Sequence, residues 1–172
     1  MILEKREYKL GIRYGIILGI IVVTIGITRY TTGMIFNEDQ RLSYLYWVIF
    51  LIASLFSVTN AKKSNNEFSL KHAIKLGITI GFVSSSIYLL YLIVLNYFVD
   101  PELPEKLIEI SRQRMMGQNN ELTSDQIKEI DLKKSSSNPI VRGVIYIVVS
   151  TFFGIIYSSM GWIIVKLKNR KR

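Results

Sequence analysis

The residues of this chain best suited to chemistry are hydroxyls. Ser84, Ser85, Ser86, Tyr88 and Tyr91 crowd into eight positions, and Ser158 and Ser159 stand in a second apolar stretch. On a helix, positions 84, 88 and 91 fall on one face. Such a stripe has two uses. Ser84, Tyr88 and Tyr91 can line a path for a small molecule or ion. Alternatively, they can bond to neighbouring helices and to main-chain carbonyls one turn back, each bond contributing about 0.6 kcal/mol in a membrane protein. The remaining inventory is thin. The one histidine, His72, lies beside Lys71 and Lys75 and reads as a solvated loop residue. Asp100, Glu102 and Glu105 form an acidic cluster that suits a helix start and otherwise offers only a weak divalent-cation site. There is no cysteine, metal-ligand spacing, glycine-rich phosphate loop or nucleophile elbow. No catalytic, cofactor-binding or metal residue is assigned, and the expectation is a protein that is not an enzyme.

The elements that carry these residues follow from charge. The chain holds 22 basic and 13 acidic residues, a net +9. Four windows hold none of them: Tyr14–Thr28, Leu42–Ala61, Leu76–Val99 and Gly143–Val165. A soluble domain mixes charge into the faces of all its elements, so this segregation excludes one, along with disorder and a nucleic-acid partner. About 20 helical residues cross the hydrocarbon core. The pattern therefore predicts an all-α polytopic membrane protein, a single membrane domain over 1–172. Its four spans are placed at about 10–28, 42–61, 76–99 and 141–165, packed as a four-helix bundle. The first reaches length if Arg13 snorkels. No ionisable residue falls inside these windows, which argues against a proton-coupled carrier. Met1–Arg13 and the apolar run after it resemble a signal peptide, but Ile27-Thr28-Arg29-Tyr30 is a poor cleavage site, so the first span is expected to be retained.

Small residues recur every four positions on three spans. Gly11, Gly15 and Gly19 lie on the first, Gly77, Gly81 and Ser85 on the third, and Ser150, Gly154 and Ser158 on the fourth. In lipid, small residues let backbones approach, and packing replaces the hydrophobic drive. These stripes are assigned to helix packing within the chain or to an oligomer interface, with span one the candidate for self-association. Lys9-Leu10-Gly11-Ile12 also echoes Lys75-Leu76-Gly77-Ile78. A duplicated helical hairpin related by a two-fold axis would give that echo.

Orientation follows from Lys and Arg in the loops. With both termini inside, the inner side holds 13 basic residues against three acids, and the outer side nine against ten. Tyr44, Tyr46 and Trp47 then sit at the outer end of span two as interface anchors, with Tyr97 and Phe98 at that of span three. The basic tail Lys166–Arg172 anchors the last span and attracts anionic headgroups. Between spans three and four, residues 100–139 form an outer amphipathic helical loop. Asp100 is placed as a helix cap with Pro101 in the first position, and Leu103, Leu107 and Ile110 form an apolar stripe. Thr123 and Gln126 are placed as the capping box of a second helix bearing Ile127 and Ile130. Ser135-Ser136-Ser137-Asn138-Pro139 breaks the chain before span four.

Several stretches together resemble a known family. These are Tyr14-Gly15-Ile16-Ile17-Leu18-Gly19, Phe68-Ser69-Leu70-Lys71-His72-Ala73-Ile74-Lys75-Leu76-Gly77 and Tyr97-Phe98-Val99-Asp100-Pro101-Glu102-Leu103. Leu122-Thr123-Ser124-Asp125-Gln126-Ile127 and Asn138-Pro139 complete the set, with Asp-Pro-Glu the most specific element. The chain resembles domain of unknown function 4199, an uncharacterised bacterial family common in Bacteroidetes. The resemblance implies four helices and an inner-membrane location, and it carries no activity, cofactor or catalytic residue. The reading is a structural or accessory subunit that binds itself or another membrane protein. The alternative is a small oligomeric channel or facilitative transporter lined by the hydroxyls of span three.

Overall fold

The structure, a computed structural model, describes residues 2–37, 41–64, 68–116, 128 and 138–170. It is all-α. Helices α1 (Ile2–Thr31), α2 (Arg41–Ser64), α3 (Leu70–Val94) and α5 (Pro139–Arg170) are long, and α4 (Leu103–Met116) is short and amphipathic. Glu7–Thr31, Tyr44–Lys63, Leu70–Val99 and Pro139–Leu167 are long and apolar enough to cross a bilayer. The chain is a polytopic membrane protein by these four segments.

Three helix ends show why the spans outrun the charge-free windows. Before α3, Ser69 takes extended backbone angles and its N–H donates to Nδ1 of His72 at 3.1 Å, half of a capping box. The helix therefore starts at Leu70, and Lys71, His72 and Lys75 ride on it. The loop reading of His72 is thereby corrected. Glu7 likewise falls inside the first apolar segment, ahead of the charge-free window, and is buried. Before α5, Asn138 Oδ1 accepts the Ile140 N–H at 2.9 Å, with Pro139 in the first helical position. At the end of α1, Gly33 adopts φ +71°, where a side chain would be strained, and its N–H returns to the Tyr30 carbonyl at 3.2 Å.

The last turn of α3, Leu95–Val99, widens to π geometry, and the Asp100 N–H closes it on the Leu95 carbonyl at 2.8 Å. Asp100 precedes Pro101, and the proline ring pushes its neighbour out of the α region. Asp100 accordingly sits at φ −141°, ψ 82°. Helix α4 begins at Leu103, so the placement of Asp100 as its cap and Pro101 in its first position is corrected by two residues. The second loop helix, with Thr123, Gln126, Ile127 and Ile130, lies outside the described residues, as does the end of the basic tail.

Helix α3 is the hub: its largest contacts are with α5 and α1, while α2 packs on α5 and α1. Helices α1 and α3 run parallel. Ideal Cβ atoms on Gly11, Gly15 and Gly19 would stand 2.8, 2.7 and 2.5 Å from Thr79, Val83 and Ile87 in turn. A glycine stripe thus receives a ridge of β-branched side chains whose χ1 is stiff. Helices α3 and α5 run antiparallel and approach more closely. At Gly77 a Cβ would strike the Gly154 carbonyl, and at Gly81 it would lie 2.5 Å from the Ser150 carbonyl. Gly11 and Gly77, the matching glycines of the Lys-Leu-Gly-Ile echo, have different neighbours: Gly11 meets a side chain where Gly77 meets backbone.

Candidate functional site

At the α4 end the same helices are separated by rings. Tyr46 of α2 is 2% exposed, and its ring lies 6.2 Å from that of Tyr146 on α5. Tyr146 lies 4.5 Å from Tyr88 of α3, and Tyr88 lies 5.8 Å from Tyr91. These spacings are those of favourable offset and edge contacts. Between the rings is a cavity of about 60 Å³. It is lined by Val22, Ile25, Gly26 and Arg29 of α1, Tyr46 and Trp47 of α2, Tyr88 of α3 and Tyr146 of α5. All four spans contribute. Among the described residues the buried hydroxyls of Tyr46 and Tyr91 make no well-formed hydrogen bond, although Tyr146 and Ser84 stand near that of Tyr46. Buried hydroxyls are ordinarily satisfied, and each orphan costs about 1–3 kcal/mol.

The hydroxyl stripe of α3 divides at this cavity. Tyr88 lines it, and Tyr91 lies beside it, packed against Gly26. Ser84 and Ser85 are fully buried below it and bond back to the Gly81 carbonyl at 3.2 and 2.6 Å. Ser86 bonds to the Phe82 carbonyl at 2.8 Å. The serines are held by main chain, and Tyr88 faces the open space. The small-residue stripes sort similarly. Gly11, Gly15 and Gly19 meet α3, Gly77 and Gly81 meet α5, and Gly154 and Ser158 meet Gly77. All these contacts lie within the chain.

Reading the sequence missed Arg29, Tyr46, Trp47 and Tyr146 as partners of Tyr88. Tyr44 is 65% exposed and Phe98 79%, as interface anchors should be, but Tyr46 and Trp47 turn inward. The signal was a spacing: Tyr46, Phe50, Ser57 and Ala61 lie on one helical face, and all are buried.

Outside the spans, α4 is clasped onto the cavity end. Asp100 accepts from the Tyr30 hydroxyl at 3.2 Å and from Lys106 Nζ at 3.0 Å, and Lys106 reaches Glu102 at 3.4 Å. The hydrogen bond to Asp100 raises the Lys106 pKa above its ordinary value. Arg114 donates to the Phe36 carbonyl. The acidic cluster is therefore engaged with a lysine. Between α4 and the turn after α1 lies an open groove of about 540 Å³, bordered by Phe36, Glu105, Lys106, Glu109 and Ile110. At the opposite end, His72 Nε2 stands 4.0 Å from Glu7 Oε1, and the imidazole stacks on Phe68. Nδ1 faces Ser69, and the ring turns its Nε2 toward Glu7. Among the described residues no three His, Cys, Asp or Glu side chains gather as a metal site.

Four apolar spans around a ring-lined cavity, with a clasped amphipathic helix at one end, define a class of helical membrane protein. Residues 13–166 match the family described as protein of unknown function DUF4199, and the chain belongs to it. No curated protein and no solved structure matches the chain.

Proposed function

We propose that this protein is a non-catalytic accessory subunit of a bacterial inner membrane that binds another membrane protein through its α4 end. The observation that carries the reading is closure of the middle of the molecule. Below the tyrosines, the α3 and α5 backbones touch at Gly77, Gly81 and Gly154. Leu18, Phe50, Leu76 and Ile80 fill the adjoining core at 1% exposure or less. In this four-helix bundle the hydroxyls of Ser84 and Ser85 serve helix cohesion. Because the glycine stripes are occupied within the chain, association falls to other surfaces. The groove beside α4 is the best of them, since its apolar residues Phe36 and Ile110 adjoin Glu105 and Glu109. It suits a loop of a second membrane protein carrying a basic residue next to an apolar one. The loop charges support cytoplasmic termini, which puts α4 outside, with the exposed Lys166, packed over the Trp162 ring at 4.7 Å, among inner-leaflet headgroups.

The alternative, a channel or facilitator of several copies, draws on Tyr88 and Tyr146 facing a cavity. Two measurements separate the readings. Complexes extracted in mild detergent should contain a second protein in fixed ratio. A homo-oligomer or a monomer would sink the partner reading. Single cysteines at Ser84 and Tyr88 should differ, with Ser84 inert to soluble thiol reagents in membranes. Equal reaction at both would mean a water path through the bundle.

A further inference from the structure

We propose that Tyr97, Phe98 and Val99 are a contact surface for the lipid leaflet at the α4 end, and that bilayer thickness acts through it on the clasp that holds α4. A regular α-helix carries three successive side chains through roughly 200°, more than half its circumference. The π turn at Leu95–Val99 narrows that sweep. All three side chains accordingly stand on the outside, Tyr97 52%, Phe98 79% and Val99 58% exposed, while Leu95 and Asn96 just before them are buried. What covers the three follows from the span they end. Leu90, Val94 and Phe98 recur every four residues and are all exposed, so the turn prolongs the face that α3 shows to lipid. Tyr and Phe rings at such a place suit the boundary between acyl chains and headgroups.

Length makes this contact sensitive to the bilayer. The α3 span covers 30 residues against 20 for the α2 span. At roughly 1.5 Å per residue these are about 45 and about 30 Å long, and the hydrocarbon core is about 30 Å thick. Lys75 is the last charge before Asp100, and about 20 residues beyond it reach Leu95. The π turn is thus the surplus of the span. A thinner bilayer enlarges that surplus, and a helix answers mismatch by tilting or kinking. Sharp kinks fall at π turns. Keeping Phe98 in the leaflet then moves Asp100, two residues on, which accepts from the Tyr30 hydroxyl at 3.2 Å and from Lys106 Nζ at 3.0 Å. Hydrogen bonds of that length have little slack. The clasp therefore loosens in thin bilayers and holds in thick ones. This inference needs no partner protein, and its test uses the chain alone.

The chain has no cysteine, so single nitroxides can be set on Arg112→Cys in α4 and on Phe98→Cys in the turn. Each labelled protein goes into nanodiscs of short-, medium- and long-chain phosphatidylcholine. The mobile fraction of the Arg112 label should rise several-fold from the longest lipid to the shortest. Phe98→Asn should flatten that rise, because the turn then has little to keep in the leaflet. Tyr44→Asn, at an aromatic of similar exposure on α2, should leave the rise intact. The Phe98 label should meet both oxygen and a water-soluble nickel complex, as groups at headgroup depth do. Constant mobility across the lipids, or a rise that Phe98→Asn leaves intact, overturns the proposal. Equal flattening by Tyr44→Asn overturns it as well, since the effect would then belong to the fit of the whole bundle. So does a Phe98 label fully open to the nickel complex, which places the turn in water, or shielded from both reagents, which places it under protein. Should Phe98→Asn fail to fold, Tyr97→Ser decides, and an undiminished rise there overturns the proposal equally.

Discussion

At the α4 end the helices meet through rings, and nearer the chain termini they meet through backbone. Both contacts are made by the same two helices. Along α3 the facing residues pass from Gly77 and Gly81 through Ser84 and Ser85 to Tyr88. Along α5 they pass from Gly154 through Ser150 to Tyr146. The small end gains dispersion contact and has no room to change. The large end cannot close, and it leaves a cavity of about 60 Å³ beside buried hydroxyls that make no well-formed hydrogen bond among the described residues. In a membrane, where water exclusion does not drive helices together, cohesion belongs to the small end. The large end carries the polar groups that can meet another molecule.

The sharpest way to break this contrast is to add one methyl group to each half. At Gly77 the new Cβ strikes the Gly154 carbonyl, which belongs to backbone and cannot swing aside. Gly77→Ala should destabilise by about 2–3 kcal/mol in an SDS- or heat-unfolding assay, against the ~1 kcal/mol that alanine gains over glycine in a helix. At Gly26 the clash is with the Tyr91 ring, the far end of a side chain that can shift toward the cavity. Gly26→Ala should come out within about 1 kcal/mol of neutral. Equal costs at the two sites would mean that the halves are packed alike.

Next in size is Tyr46→Phe. Because the buried Tyr46 hydroxyl makes no well-formed hydrogen bond among the described residues, removing it should stabilise the protein by about 1 kcal/mol. A loss of similar size would show that the hydroxyl is satisfied, and the cavity half would then be as settled as the glycine half.

Much of this was legible in the residues. Charge-free windows gave the spans and their number, because a charge at mid-bilayer is expensive and its absence over some 20 positions has few other causes. Glycine spacing gave the packing faces. Boundaries were less legible: charged residues such as Lys71 and Lys75 sit on the first turns of α3, where the cap at Ser69 and His72, and not hydropathy, fixes the start. Which stripe meets which helix was hidden as well. Gly15 and Gly81 look alike in sequence, yet one receives Val83 and the other the Ser150 carbonyl. The cavity needed four helices at once. Tyr46 and Trp47 read as interface aromatics because their position near a span end allows that, and only the partner helices show which way they turn.

A smaller effect tests the clasp that holds α4 over the cavity end. Asp100→Asn keeps the shape but weakens acceptance from Tyr30 and Lys106. Amides of α4 should exchange several-fold faster, with the spans unaffected. The pH dependence has a definite sign. The Lys106 pKa is raised in the folded protein, so its contribution is complete below the ordinary lysine value and is lost as pH rises through the higher folded one. The chain has no cysteine, so a single spin label at Arg112 can follow α4. Its mobility should stay constant from pH 7 to about pH 10 and increase above that. Release near pH 8 would mean that another group holds the helix.

The smallest expected effect falls at Gly161, which shares a helix with Gly154. An added Cβ there would lie 3.3 Å from Leu55 Cδ2 and from Val58 Cβ, and 3.4 Å from Val58 Cγ2. Those are side-chain atoms a few tenths of an ångström too close, and the Leu55 methyl can give. Helix propensity favours alanine by up to about 1 kcal/mol and local crowding takes back a similar amount. Gly161→Ala should therefore change stability by less than about 0.5 kcal/mol, measured beside Gly77→Ala in the same detergent. If Gly161→Ala were as damaging as Gly77→Ala, the α2–α5 contact would be as tight as the α3–α5 contact. Cohesion would then be spread over the whole terminal half, and the backbone contact of α3 with α5 would lose its special place.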